Sequence, residues 1–153
     1  MEIIPLPAGL GADGIESTFA LKNVYESICK NEGYKADLIV ELLPLPLRPK
    51  NCIDLCIEEM LAKEADSVTT VAPCKHITDL DENNFITETP KRKYYYTAAV
   101  FVYRHELLLR GTGLDGGYDY AGTKRLGVIC NPHDCVDIDT KDDVTWTEYL
   151  LAI

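Results

Sequence analysis

Residues Ile53–Val71 read IDLCIEEMLAKEADSVTTV. In this stretch a pattern of period 3.6 gives way, after Ala65-Asp66, to a β-rich run. The change of period predicts a helix followed by a strand. Asn51 is placed to open the helix. Ile53, Ile57 and Leu61 fall on one face with Cys56 and Met60 alongside, while Glu58, Glu59 and Lys63 lie on other faces. Ser67 to Ala72 then reads as the strand. Immediately upstream, Asp37 to Leu43 is a short apolar run of strand length. Pro44-Leu-Pro-Leu-Arg-Pro49 cannot continue it, because prolines remove ladder donors. Further upstream, Thr18 is placed to cap a helix running to about Asn31, with Ala20, Val24 and Ile28 as its buried stripe and Gly33 as its stop. Residues 1–16 read as a loop.

Downstream, residues 74–93 are polar, with an Asp81-Glu-Asn-Asn84 turn and a Lys91-Arg-Lys93 cluster. Thr97 to Tyr103 is a strong strand signal, and Arg125 to Cys130 is another. Between them, residues 111–122 carry five glycines and read as an irregular loop. Thr140-Lys-Asp-Asp143 fits a capping box that opens a final helix, with Val144, Thr147 and Leu151 facing inward and Leu150 beside them. Strands that alternate with helices predict an α/β fold: a three-layer, Rossmann-like domain with a largely parallel sheet covered by helices. A length of 153 residues fits one domain over residues 1–153.

The formal net charge is -10 and the pI about 4.7, which argues against a nucleic-acid partner, since such proteins carry a basic patch. A small anionic ligand is still compatible, because it needs only a few local cations, a helix N-terminus or a metal. The six cysteines are expected to have no leader ahead of them, and a chain of this length does not need disulfide staples. They are expected to be reduced, mostly buried and core-facing. No apolar run approaches the ~18 residues of a membrane span, so the expectation is a cytoplasmic protein with no membrane partner.

Two places suit ligand chemistry. Asp137-Ile-Asp139 precedes the last helix. In an extended segment both carboxylates point the same way while Ile138 faces the core. Such a pair suits a hard cation, Mg²⁺ or Mn²⁺, which keeps several waters and also binds substrate phosphates. The same residues also suit a plainer role, with Asp139 and Asp142 favouring the positive end of the helix and Asp137 solvated. Arg48 follows a strand end and a proline-stiffened turn, where a guanidinium can hold a phosphate or carboxylate as a planar fork, or pair with a surface carboxylate. Lys91–Lys93 beside Tyr94–Tyr96 suit either a ligand surface or a solvated face. His76, His105 and His133 match no metal spacing, and His105 reads as a surface residue at a helix start.

Several stretches together resemble one family. Tyr34–Val40 resembles a "yD-ivvlL" strand, Pro46-Leu47-Arg48 the end of "QPTSPLR", and Ile53–Val71 the following helix and "aDSv-sV" strand. Ala98–Leu109 is similar to "NGAiYvfrre-Ll", and Val136–Asp143 with Glu148-Tyr-Leu150 to "vDIDt-eD---aE-lL". These are motifs of the acylneuraminate (CMP-sialic acid and nonulosonic acid) cytidylyltransferases. The resemblance implies transfer of CMP from CTP to a nonulosonic sugar acid with release of pyrophosphate, charge neutralisation by Mg²⁺ on Asp137 and Asp139, and Arg48 near the nucleotide or sugar acid. It also implies a homodimer built from the segment at 74–97. Leu6-Pro-Ala-Gly-Leu-Gly11 lacks the Arg, Ser and Lys of the family's N-terminal CTP-binding loop, and Leu42, Pro44 and Leu45 replace the Gln, Thr and Ser of QPTSPLR. The expectation from these departures is a partial, C-terminal cytidylyltransferase-like domain that is inactive alone. The alternative is a non-catalytic remnant that serves as a binding or oligomerisation module.

Overall fold

The structure, a computed structural model, describes residues 4, 5, 7, 9, 17–74, 79–80, 86–87, 94–110 and 122–153. Helix α1 spans Ser17–Glu32, strand β1 Leu38–Glu41, helix α2 Cys52–Ala62 and strand β2 Ser67–Pro73. The short strands β3 (Asp79–Leu80) and β4 (Ile86–Thr87) form a separate hairpin pair. Strand β5 (Tyr94–Arg104), helix α3 (His105–Leu109), strand β6 (Arg125–Ile129), a 3-10 turn at Pro132–Cys135 and helix α4 (Lys141–Ala152) complete the described elements.

The main sheet has four strands in the order β1-β5-β2-β6. Strand β5 runs antiparallel to both of its neighbours, and only β2 and β6 pair in parallel. This overturns the largely parallel, Rossmann-like sheet expected from the sequence. The physical reason lies between β2 and β5. A parallel return needs a crossover of a dozen or more residues, usually a helix. The polar 74–93 sequence carries no helical period, and within it β3 and β4 pair antiparallel. The chain therefore comes back reversed.

Strand β5 is apolar on both faces. Val100 and Val102 are buried with Cys52, Cys56, Met60, Val68 and Val128 under α2. Tyr103 is buried on the alternate face with Tyr25, Leu107 and Leu108, against α1 and α3. Both helical stripes are rotated by one residue from the sequence expectation. In α2 the buried line is Cys52, Cys56 and Met60; Ile53 and Ile57 flank it, and Leu61 is 54% exposed. In α1 Leu21, Tyr25 and Cys29 meet the core, while Ala20, Val24 and Ile28 are half-buried. Thr18 is buried inside the first turn of α1 and does not precede the helix. Gly33 does end it, at φ 66° with its N–H on the Cys29 carbonyl at 3.1 Å.

At the amino end of β2, Asp66 fastens β6 to the sheet. Its Oδ2 accepts from the N–H groups of Thr123 and Lys124, both at 2.9 Å, and from the Thr123 hydroxyl at 3.0 Å. These backbone N–H groups hold the carboxyl below its ordinary range. The capping box of α4 forms as expected: Thr140 Oγ1 accepts from Asp143 N–H, and Asp143 Oδ2 accepts from Thr140 N–H at 2.7 Å. Of the expected inward face of α4 only Thr147 is buried. Val144 and Leu151 are exposed, as are Trp146 and Tyr149, whose rings stack at 5.4 Å.

Candidate functional site

The carboxyl end of β2 and β6 meets the amino end of β5, and the residues with chemistry gather there. Their arrangement starts from an irregularity. Thr69 pairs with Phe101 but Val71 pairs with Tyr96, so β5 carries extra residues around Thr97–Val100. A bulge removes regular ladder partners, and its backbone groups need others. Thr70 Oγ1 accepts from the Val100 N–H at 3.2 Å and from the Thr97 hydroxyl at 2.7 Å. The Ala99 carbonyl accepts from Arg48 Nε at 2.8 Å.

Arg48 is therefore half-buried and engaged with backbone. Besides Ala99, one Nη donates to the Leu43 carbonyl. Its guanidinium pins the 42–49 segment across the bulge, and this contact, rather than an ion pair, is what the structure gives it. On the other flank of the bulge, Cys130 Sγ lies 3.0 Å from Cys135 Sγ and 3.7 Å from Thr97 Oγ1, and it donates to the Val71 carbonyl at 3.4 Å. Burial, with Cys130 alongside, pushes the Cys135 thiol up to about 12. Cys52, at the start of α2, feels charges from both flanks. Burial raises its pKa, the charges of Cys130 and Asp134 raise it further, and Cys56 and Arg48 oppose the rise. All six cysteines are free thiols, but only Cys52 and Cys56 are buried; the other four are half-buried, so the expectation of mostly buried thiols does not hold.

Asp137 and Asp139 follow the 3-10 turn. Both are exposed, and Ile138 between them is 41% exposed, so it does not face the core as expected. Asp137 Oδ1 accepts from the Ile138 N–H at 3.0 Å, and the Asp139 N–H donates to Asp143 Oδ2 at 3.2 Å. Asp139 is thus tied through its backbone to the capping box. Among the described residues no three or more His, Cys, Asp or Glu side chains converge as a metal group. Two exposed carboxylates still fit the donor chemistry of Mg²⁺ or Mn²⁺, which needs few protein oxygens when water and phosphates fill the remaining positions.

Tyr94–Tyr96 are exposed on the amino end of β5, beside this region. Lys91–Lys93, His76, the glycine-rich 111–121 and most of the expected dimer segment 74–97 lie outside the described residues. His105 is not a surface residue: it is 4% exposed, with Nδ1 3.4 Å from the Asp37 carbonyl and its ring 5.9 Å from that of Tyr25. Sequence reasoning missed Thr70, whose role depends on a bulge that has no local signature. It also missed Glu41 at the end of β1. Glu41 Oε2 is buried without a hydrogen-bond partner among the described residues, and burial raises the carboxyl above its ordinary value. The Cys130-x4-Cys135 spacing was visible in the sequence.

Among the described residues no helix is long and apolar enough to cross a membrane. No protein-family model matches the chain, and no curated protein matches it. Among solved structures, the chain is similar to a 4-diphosphocytidyl-2C-methyl-D-erythritol synthase from Anaerococcus prevotii DSM 20548, with a TM-score of 0.63 and 15% identity. The match covers 85% of this chain and 65% of that one, so the chain spans less than two thirds of the length of this structural neighbour. At this identity the likeness is one of fold.

Proposed function

We propose that this chain is a partial cytidylyltransferase-like domain, inactive alone, of the type that transfers CMP from CTP to a nonulosonic, sialic-type sugar acid. The observation that carries the first half is the superposition of 85% of the chain on a synthase of a cytidyl diphosphate compound. The acceptor rests on the sequence motifs alone, from Pro46-Leu47-Arg48 through Val136–Asp143. In this reading the hydroxyl of the sugar acid attacks the α-phosphate of CTP, and pyrophosphate leaves. Positioning and charge neutralisation supply most of such a rate. Asp137 and Asp139 would hold Mg²⁺, which supplies charge neutralisation at the phosphates when bound. The capping box supports that pair by fixing the backbone of Asp139 and Thr140. Arg48 holds the 42–49 segment against β5, and in this reading that segment would border the bound nucleotide.

A second reading, a non-catalytic binding module on the same scaffold, is favoured by one observation. The Arg48 guanidinium, the cation the motif offers to a ligand, is spent on two backbone carbonyls. Calorimetry with CTP, ATP and GTP in the presence of Mg²⁺ separates the two. The cytidylyltransferase reading expects CTP to bind at least ~10-fold more tightly than ATP, since a pocket built to hydrogen-bond one base rejects another by that much or more. It also expects the double change Asp137→Asn and Asp139→Asn to abolish the Mg²⁺ dependence. Equal or absent nucleotide binding would leave only the module.

A further inference from the structure

We propose that Cys130 and Cys135 form a reversible dithiol–disulfide couple, a modification site at the carboxyl end of β6 that takes a small-molecule disulfide as its oxidant. The inference rests on geometry. The two sulfurs are 3.0 Å apart, within about 1 Å of the ~2.05 Å length of a disulfide bond. They bracket the 3-10 turn Pro132–Cys135, whose own hydrogen bonds, Asp134 N–H to the Asn131 carbonyl at 3.0 Å and His133 N–H to Asn131 Oδ1 at 3.1 Å, hold the two ends together. Both cysteines are half-buried, so a small reagent can approach them, whereas Cys52 and Cys56 are buried between α2 and the sheet.

Their surroundings tolerate the change. On oxidation Cys130 loses the S–H that donates to the Val71 carbonyl, but that carbonyl keeps the Cys130 backbone N–H at 2.9 Å. Thr97, which also touches Cys130 Sγ, keeps its hydrogen bond to Thr70 Oγ1. No polar group named here is orphaned, so the fold does not oppose the disulfide. The chemistry is thiol–disulfide exchange. One protein thiol loses its proton and its sulfur attacks a sulfur of the oxidant, which releases one small thiolate. The second protein sulfur, also after losing its proton, displaces the other small thiolate from the mixed disulfide. The protein gives up two S–H bonds, two protons and two electrons and gains one S–S bond, and the oxidant is reduced to two thiols. The closed ring spans residues 130–135 and ends two residues before Asp137. Oxidation therefore fixes the turn that leads to the aspartate pair, and this holds whether or not the chain transfers cytidylyl groups.

The test uses the full chain equilibrated with glutathione disulfide and glutathione at a fixed ratio, quenched with acid, alkylated and cleaved on the amino side of Asp134. That cut separates the two cysteines. The expected result is that the two fragments remain joined until a reductant is added, and that at the same ratio the native chain is at least ~10-fold more oxidised than the chain unfolded in denaturant, since the fold raises the effective concentration of the pair. In Cys135→Ser the mixed disulfide with glutathione should accumulate on Cys130. The proposal is overturned if both cysteines stay alkylated, if Cys130 links to a different cysteine, or if native and unfolded chains oxidise equally.

Discussion

Single residues at strand ends set the local chemistry here. Glu41 closes β1 with one carboxylate oxygen buried and unpartnered, and burial raises its pKa. A raised carboxyl binds its proton more tightly when folded than when unfolded. Stability is therefore greatest at acid pH and falls as pH rises from the unfolded value through the folded one. Glu41→Gln should remove that loss and raise stability at neutral pH by about 1 kcal/mol, with little effect near pH 3; urea unfolding at the two pH values reads the difference. Asp66 has the opposite sign. Its pKa is depressed by backbone donors, so its contribution is present at neutral pH and fades in acid as pH falls through the folded value. Gly122 belongs to the same clamp. It sits at φ 70°, and a Cβ there would lie 2.5 Å from Asp66 Cβ. Gly122→Ala combines a left-handed backbone with a clash against the rigid root of a side chain. It should cost about 2 kcal/mol or more in thermal unfolding, measured from the shift in midpoint. None of this was legible in the sequence. The glycine reads as one of five in a loop, and a glutamate that follows Leu38-Ile-Val40 carries no sign of which face it will occupy.

At the scale of elements, existence was readable and orientation was not. The strands at 38–41, 67–73, 94–104 and 125–129 and the helices from Ser17, Cys52 and Lys141 fall where period and punctuation place them. Both long buried stripes came out one residue away. In α2 the set Cys52, Ile53, Cys56, Ile57 and Met60 spans an arc wider than one line of contact. The apolar pattern fixes that arc but not its centre, and the partner surface chooses the centre. Here the sheet takes the smaller thiols and the flexible Met60, and Leu61 is left outside. Capping boxes are more local, which is why Thr140–Asp143 was read correctly down to both hydrogen bonds. Since α4 buries only Thr147, little tertiary packing supports it. Thr140→Ala should cost about 1 kcal/mol. The loss should appear first as faster amide exchange within 141–152, and only weakly in the unfolding of the sheet.

The pattern of alternating strands and helices points to α/β, but strand direction is a property of the whole chain. It depends on what joins β2 to β5, and the polarity of that segment does not by itself fix the direction of return. The candidate site was legible in part for the same reason: motifs place Arg48, Asp137 and Asp139, whereas the Thr70 bulge and the Cys130–Cys135 contact exist only once β5 lies against β2. The insertion of β5 between β1 and β2 also governs how the molecule is made. Neither earlier strand hydrogen-bonds to the other, so no part of this sheet can assemble until the chain has been synthesised past Tyr94. A nascent chain that ends at Cys74 holds two apolar strands with open edges, the condition under which strands seek partners on other molecules. Such a fragment should sediment as aggregates, whereas one extended to Arg110 should stay monodisperse at the same concentration. Arrival of β5 is thus the committing event in biogenesis, and a ribosome stalled upstream of it presents a substrate for chaperones.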